Sequence, residues 1–285
     1  MFARANAKLF TPEQLAMLQP YTENLATIDD LLVFRSVIII YRFALPALGP
    51  AQSPFLEKVQ QSLLKCLSRI TAKELHEVVQ CLWTINGVLK NIDRLVRVTI
   101  SCIRIIDSCA GELDEKGVNK LNRSINILGL IGMECDFEND REKFEELHHP
   151  KGKWKGGSIS GLIADTILPY TASRRPLIVR KRALESLGDV CQTHAAIFLD
   201  SRIQGAFDAV FVEKKPELED LVLSGFKGFL LIDERRSEMS TEEASNDKKE
   251  KAGRLEVAAY INQNDGHVTS TANIPFQTFA NFWAV

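Results

Sequence analysis

Amphipathic helical stretches follow one another along most of this chain, most of them opened by a capping residue or a proline and closed by a short polar turn. Thr11-Pro12-Glu13-Gln14 combines an N-cap threonine, a first-turn proline and a glutamine placed to complete a capping box. The spacing predicts a long helix from about Ile28 to Leu45, disturbed by Pro46 and stopped at Gly49-Pro50. Ser53-Pro54 starts the next, with Leu56, Val59, Leu63, Leu67 and Ile70 on one face. Thr71 and Glu74 form a second capping box ahead of Leu75, Val78, Val79, Leu82 and Leu89. Helical spacing returns over 92–109, with Leu95, Val98, Cys102, Ile105, Ile106 and Cys109 on one side, and again over 118–137. After an acidic segment, "DFENDREKFEEL", and a Pro/Gly/Lys loop, "HHPKGKWKGGS", helices resume in "ISGLIADTILPYT", "PLIVRKRALESLGDVCQTH", "SRIQGAFDAVFVE" and "PELEDLVLSGFKGFLLIDE".

About ten helices in pairs at a spacing near 40 residues is the rhythm of HEAT-type repeats, in which no pair buries its apolar face without its neighbours. The expected fold is therefore all-α, a HEAT-repeat α-solenoid of antiparallel helix pairs. Gly and Pro are too sparse for a turn-rich β fold, and a hydrophobic content of 45% can fill a core. The expected organisation is HEAT-like helix pairs over 1–136, an acidic then basic Gly-rich linker over 137–158, and further repeats over 159–234. The run 235–254 is charged, small and polar, the composition of a disordered insertion. Residues 255–285 have no clear period.

"RRPLIVRKR" invites two readings. Five cations, Arg174, Arg175, Arg180, Lys181 and Arg182, crowd one helix start, although the net charge of the whole chain is only −2. On a wheel of about 100° per residue, Val179, Ala183, Leu184, Leu187, Val190, Cys191 and His194 share one side, and Arg180 falls among them. Lys181, Arg182, Glu185, Asp189 and Gln192 share the other. A valine-arginine pair followed by Ala-Leu and Leu-Gly is a HEAT pattern, here Val179-Arg180, Ala183-Leu184 and Leu187-Gly188. Arg180, Leu184 and Leu187 are thus expected to be structural, with the arginine stem packed and its guanidinium bonded at a repeat junction. Arg174, Arg175, Lys181 and Arg182 are left to face out and offer a weak, sequence-independent phosphate contact. The loop residues Lys151, Lys153, Trp154 and Lys155 extend that candidate surface, with Trp154 able to stack on a base.

Catalytic chemistry is missing from the pattern. There is no Walker A sequence, "GGSISG" lacks the serine flanked by glycines that a nucleophile elbow needs, and no dinucleotide fingerprint follows a strand. His76 and His194 sit within or at the end of helices, where a lone histidine is structural. The six cysteines form no C-x-x-C pair and mostly lie in apolar helical stretches, the usage of a reducing compartment. Cys135, His148 and His149 match no zinc spacing. No catalytic residue, cofactor or metal is expected. The most apolar stretch, 31–48, carries Arg35 and Arg42, which a membrane helix would not tolerate cheaply; no membrane partner is expected.

Several stretches together resemble one family, the Nipped-B-like (adherin) cohesin-loading subunit of sister chromatid cohesion, in its fungal form. They are "NRSINILGLIGMECDFENDREKFEE" (122–146), "VRKRALESLGDVCQTHAAIFLDSRIQGAFDAVF" (179–211), "LEDLVLSGFKGFLLIDERR" (218–236) and the looser "EVVQCLWTINGVL" (77–89). The resemblance spans residues 28 to about 255 and implies a fragment of a much longer protein. It implies a non-catalytic chromatin scaffold in the nucleus, which helps load cohesin onto DNA and stimulates cohesin's ATPase. Its implied partners are cohesin subunits and DNA, while the superhelical partner subunit of such loaders binds a region absent here. The residues alone reach only an α-solenoid scaffold, and a cytoplasmic one, such as a transport receptor or folding cofactor, is the alternative.

Overall fold

The computed structural model describes residues 30–67, 72–109, 111, 113–148 and 157–223, with isolated positions before residue 30. The capping box at residues 11–14, the Thr71 cap, Lys151, Lys153, Trp154 and Lys155, the 235–254 insertion and the 255–285 tail lie outside the described residues, save isolated Gln14. Every regular element among the described residues is helical: α1 (Leu31–Ala44), α2 (Ser53–Cys66), α3 (Ala72–Leu89), α4 (Asp93–Ser108), α5 (Glu115–Glu134), α6 (Arg141–His148), α7 (Ile159–Ile167), α8 (Leu177–Thr193), α9 (Ser201–Glu213) and a helical segment α10 at 216–223, with short 3-10 turns between several of them. Sequence neighbours pack in pairs and each pair leans on the next, giving the stacked helical solenoid that the periodicity predicts.

Most of the predicted stripe residues are buried, although Leu89, Val98 and Ile105 are only partly so, and α4 also buries Val96, Ile100 and Ile103, because its contact face is wider than the predicted stripe. Leu56, Val59, Leu63 and Leu67 line the inside of α2 and its end, and Leu95, Cys102 and Ile106 the inside of α4. Two aspartates that the sequence reading did not single out cap helix starts. Asp30 accepts from the Leu32 and Val33 amides, and Asp114 from Gly117 N. Arg35 of α1 is exposed, and Arg42 donates from one terminal nitrogen, Nη1, to both Glu77 oxygens at 2.8 and 2.7 Å. No helix among the described residues is long and apolar enough to cross a membrane.

The acidic segment is more than the linker that its charge suggested. It forms a 3-10 turn and α6, because two phenylalanines hidden among the carboxylates reach the core. Phe137 packs edge-on against Trp83 at 5.7 Å, and Phe144, fully buried, lies 5.8 Å from Phe137. Lys143 pairs with Asp93 of α4 at 2.6 Å. Glu138 then accepts from the Ile159 amide at 2.6 Å, and Arg141 bonds the Gly157 carbonyl at 2.8 Å. Both bonds hold the far end of the Pro/Gly/Lys loop to the element that precedes the loop.

The most extensive helix contact is α5 on α8. A Cβ built on Gly129 would lie 2.4 Å from the Ser186 Cβ and 2.8 Å from its Cα, and one on Gly132 would lie 2.7 Å from a Val190 methyl. Glycine is required here for close approach, because nothing larger fits between the two backbones. Ser186 is fully buried and its Oγ has no hydrogen-bond partner among the described residues.

Arg180 secures the same helix on its other side. Its side chain is only 2% exposed. Nε donates to the Thr171 carbonyl at 2.7 Å, and the two terminal nitrogens fork onto Glu213 at 2.6 and 2.7 Å. One guanidinium thus joins the turn before α8, α8 itself and the end of α9. The Glu213 carboxyl is held below the usual carboxylate range, first by its bonds from Arg180.

Three outcomes are expected in thermal or urea unfolding. Leu187→Ala, at a fully buried site, costs about 2–5 kcal/mol, whereas Glu185→Ala costs well under about 1 kcal/mol. Gly129→Ala destabilises by about 1–3 kcal/mol, because backbone must move, while Ser186→Ala is neutral or stabilising since it removes an unbonded hydroxyl. Arg180→Ala costs about 3 kcal/mol by stranding Glu213 and the Thr171 carbonyl, with Arg180→Lys between it and the parent.

Candidate functional site

The candidate surface is built on the turn that feeds α8. Pro176 opens the helix, which puts Arg174 and Arg175 just outside its first turn. Arg174 is exposed. Arg175 is partly buried, its guanidinium 4.6 Å from the centre of the Tyr170 ring. Tyr170 is fixed in turn, its hydroxyl donating to the Ile106 carbonyl at 2.6 Å, and burial pushes its ionisation up. The two arginines flank a cleft of about 660 Å3 whose other wall includes Leu113, Val118 and Leu121. Leu177 and Ile178, 47% and 59% exposed, follow directly. The turn is therefore cationic and apolar at once.

Lys181 and Arg182 are not the free cations that their side of the wheel suggests. Lys181 pairs with Glu217 of α10, and Arg182 with Glu185 at 2.6 Å and with Asn126 of α5 at 3.2 Å. The chain turns back at Lys214, in the left-handed region at φ 52°, and this brings α10 to the polar side of α8. Accordingly Lys181, Arg182, Glu185, Asp189 and Gln192 are all only partly exposed. The structure brings Arg174 and Arg175 together in one turn, puts Lys181 and Arg182 under α10 in ion pairs, and leaves the four loop residues outside what is described.

A second polar group was not visible in the sequence. His76 Nε2 of α3 meets Glu134 Oε1 of α5 at 2.5 Å, and that bond raises the histidine's proton affinity. Asp189 of α8 shares their field, and burial pushes its carboxyl up to about 7. The three residues come from three helices, so only the stacking assembles them. The one signal in the sequence was the isolated His76. The histidine-glutamate pair stabilises fully below about pH 6.5, the unfolded histidine value, and that contribution is lost as pH rises through the raised folded value.

No group of described residues has the composition to hold a metal ion. All six cysteines are buried and unbridged. Burial pushes the Cys81 and Cys102 thiols up to about 12 and Cys135 well above its usual value, which removes them from nucleophilic chemistry. The geometry presents surfaces for contact.

No protein-family model matches the chain. Sister chromatid cohesion protein mis4 of Schizosaccharomyces pombe is 22% identical over 242 residues, covering 82% of this chain and 14% of that protein. Sister chromatid cohesion protein 2 of Saccharomyces cerevisiae is 19% identical over 246 residues, covering 84% of this chain and 16% of that protein. Among solved structures, the C-terminal fragment of the Chaetomium thermophilum cohesin loader SCC2 superposes with a TM-score of 0.79 at 34% identity, over 94% of this chain and 22% of that one. The chain spans less than a quarter of each. The order of helices, their stacking and these likenesses agree, and over most of its length the chain is similar to a stretch of the helical solenoid of cohesin-loading proteins.

Proposed function

We propose that the chain is a non-catalytic scaffold segment of a cohesin loader, which works on chromatin in the nucleus, helps load cohesin onto DNA and stimulates the ATPase of cohesin without having one. The likeness to a cohesin loader fragment over 94% of the chain carries this reading. A stacked-helix segment contributes shape and surface, so its expected partners are cohesin subunits and DNA. Within that role, Arg174 and Arg175 make a weak, sequence-independent phosphate contact, with Lys151, Lys153, Trp154 and Lys155 extending it. Lys181 and Arg182 add to the contact only by exchanging Glu217 and Glu185 for phosphate, which makes them the lesser contributors.

Two measurements test the reading. The purified chain, incubated with individual cohesin subunits, is expected to retain at least one; retention of none removes the cohesin half. Duplex DNA affinity measured against salt is expected to lose close to two units of slope when Arg174 and Arg175 are both changed to Glu. Lys181→Glu is expected to change the slope by clearly less than one unit. A double variant whose curve overlays the parent's shows the basic turn to be a solvated surface only.

A further inference from the structure

A second surface lies away from the basic turn. Helices α5, α8, α9 and α10 enclose a groove of about 580 Å3. Leu130, Phe207, Leu221 and Val222 give it an apolar floor, and three carboxylates, Glu185, Asp189 and Asp220, stand around it. Among the described residues that line it, the cation is Arg182, and it is committed to Glu185 at 2.6 Å and Asn126 at 3.2 Å. No hydrogen-bond donor among the described residues reaches the Asp189 carboxylate.

We propose that this groove is a docking site for a protein segment that inserts a lysine or arginine side chain flanked by apolar residues. The floor takes the aliphatic stem and the neighbouring apolar side chains, as long cationic residues do along apolar surface. The head group meets Asp189 and Asp220. The charge balance selects the occupant, because Glu185 is taken by Arg182, and Asp189 and Asp220 are left facing the groove for an incoming cation to pair with. Nucleic acid is excluded from this groove by the same carboxylates. The groups that set the ionisation of Asp189 are Glu185 and Arg182 on its own helix, His76 on α3 and Glu134 on α5, the carboxylates raising it and the cations lowering it, with burial the largest cause. A bound guanidinium supplies the missing opposite charge and draws the proton off. The inference goes beyond the loader reading and does not use the contact at Arg174 and Arg175.

The test uses the whole chain and two short fluorescent peptides with polar tails. One carries a single arginine between leucines, and its twin carries citrulline, which keeps the shape and removes the charge. Anisotropy titration is expected to show the arginine peptide binding at least about tenfold more tightly than its twin. Asp189→Asn is expected to reduce arginine-peptide affinity to the citrulline level, and the exposed Asp220→Asn to lower it by a smaller factor. Affinity is expected to rise as pH rises through about 7, where Asp189 ionises.

The stability of Asp189→Asn provides the folding control. A raised folded pKa makes ionisation of Asp189 costly, so the cost is absent below about pH 3.9 and complete above about 7. The variant is expected to melt with the parent in acid and above it at alkaline pH. Equal binding of the twins, no binding of the arginine peptide, or unchanged affinity in both aspartate variants overturns the proposal. None of these outcomes alters the salt slope assigned to Arg174 and Arg175, so the two readings fail separately.

Discussion

The structure depends on how closely α5 and α8 approach. Gly129 and Gly132 leave no side chain between the backbones, and Ser186 and Val190 fill the space they vacate. The two helices are far apart in the chain, with Arg182 and Asn126 in contact at a separation of 56 residues. The acidic α6, the loop after it and α7 are therefore a detour between two halves of one junction. That detour is held at both ends. Phe137 and Phe144 anchor its start in the core, and Glu138 caps the first turn of α7. Without the glycine contact, the polar pairs that cross the junction would lose their geometry.

Polar clamps then fix which way α8 is turned. Arg180 reaches the preceding turn and the end of α9 on one side, and Arg182 and Lys181 reach α5 and α10 on the other. Taking a guanidinium out of water is expensive, and an apolar residue of the same volume can stabilise a core as well or better. The gain from Arg180 is geometric. Its fork accepts one arrangement of Thr171 and Glu213, so the angle between successive helix pairs is set by hydrogen bonds as well as by packing.

What the sequence made legible was what is local. Apolar spacing of three and four residues found the stripes of α2, α4 and α8, and the valine-arginine pair singled out Arg180 before any partner for it could be named. The partners themselves were not legible, since Glu213, Glu217 and Asn126 meet α8 only through folding. The outward reading of Lys181 and Arg182 came from a wheel that treats a helix as though water covered one side. Here α10 lies over that side, and a charge that a wheel points outward finds a carboxylate. The acidic segment misled for a related reason: charge dominated its composition, and two phenylalanines carried its packing. The same limits apply to the site. The cationic turn at Arg174 and Arg175 could be read from adjacency, whereas His76, Glu134 and Asp189 come together from three helices.

The buried cysteines carry a further consequence. They are spread along the stack, in or at the ends of α2, α3, α4, α5 and α8, and each is buried. A thiol that deep reacts with an alkylating reagent only when its surroundings open. The chain thus contains natural reporters at known places along its length. Their relative labelling rates would show whether the helix pairs open one at a time from an end, as nearest-neighbour stacking allows, or whether the glycine-seated junction makes its neighbours open together.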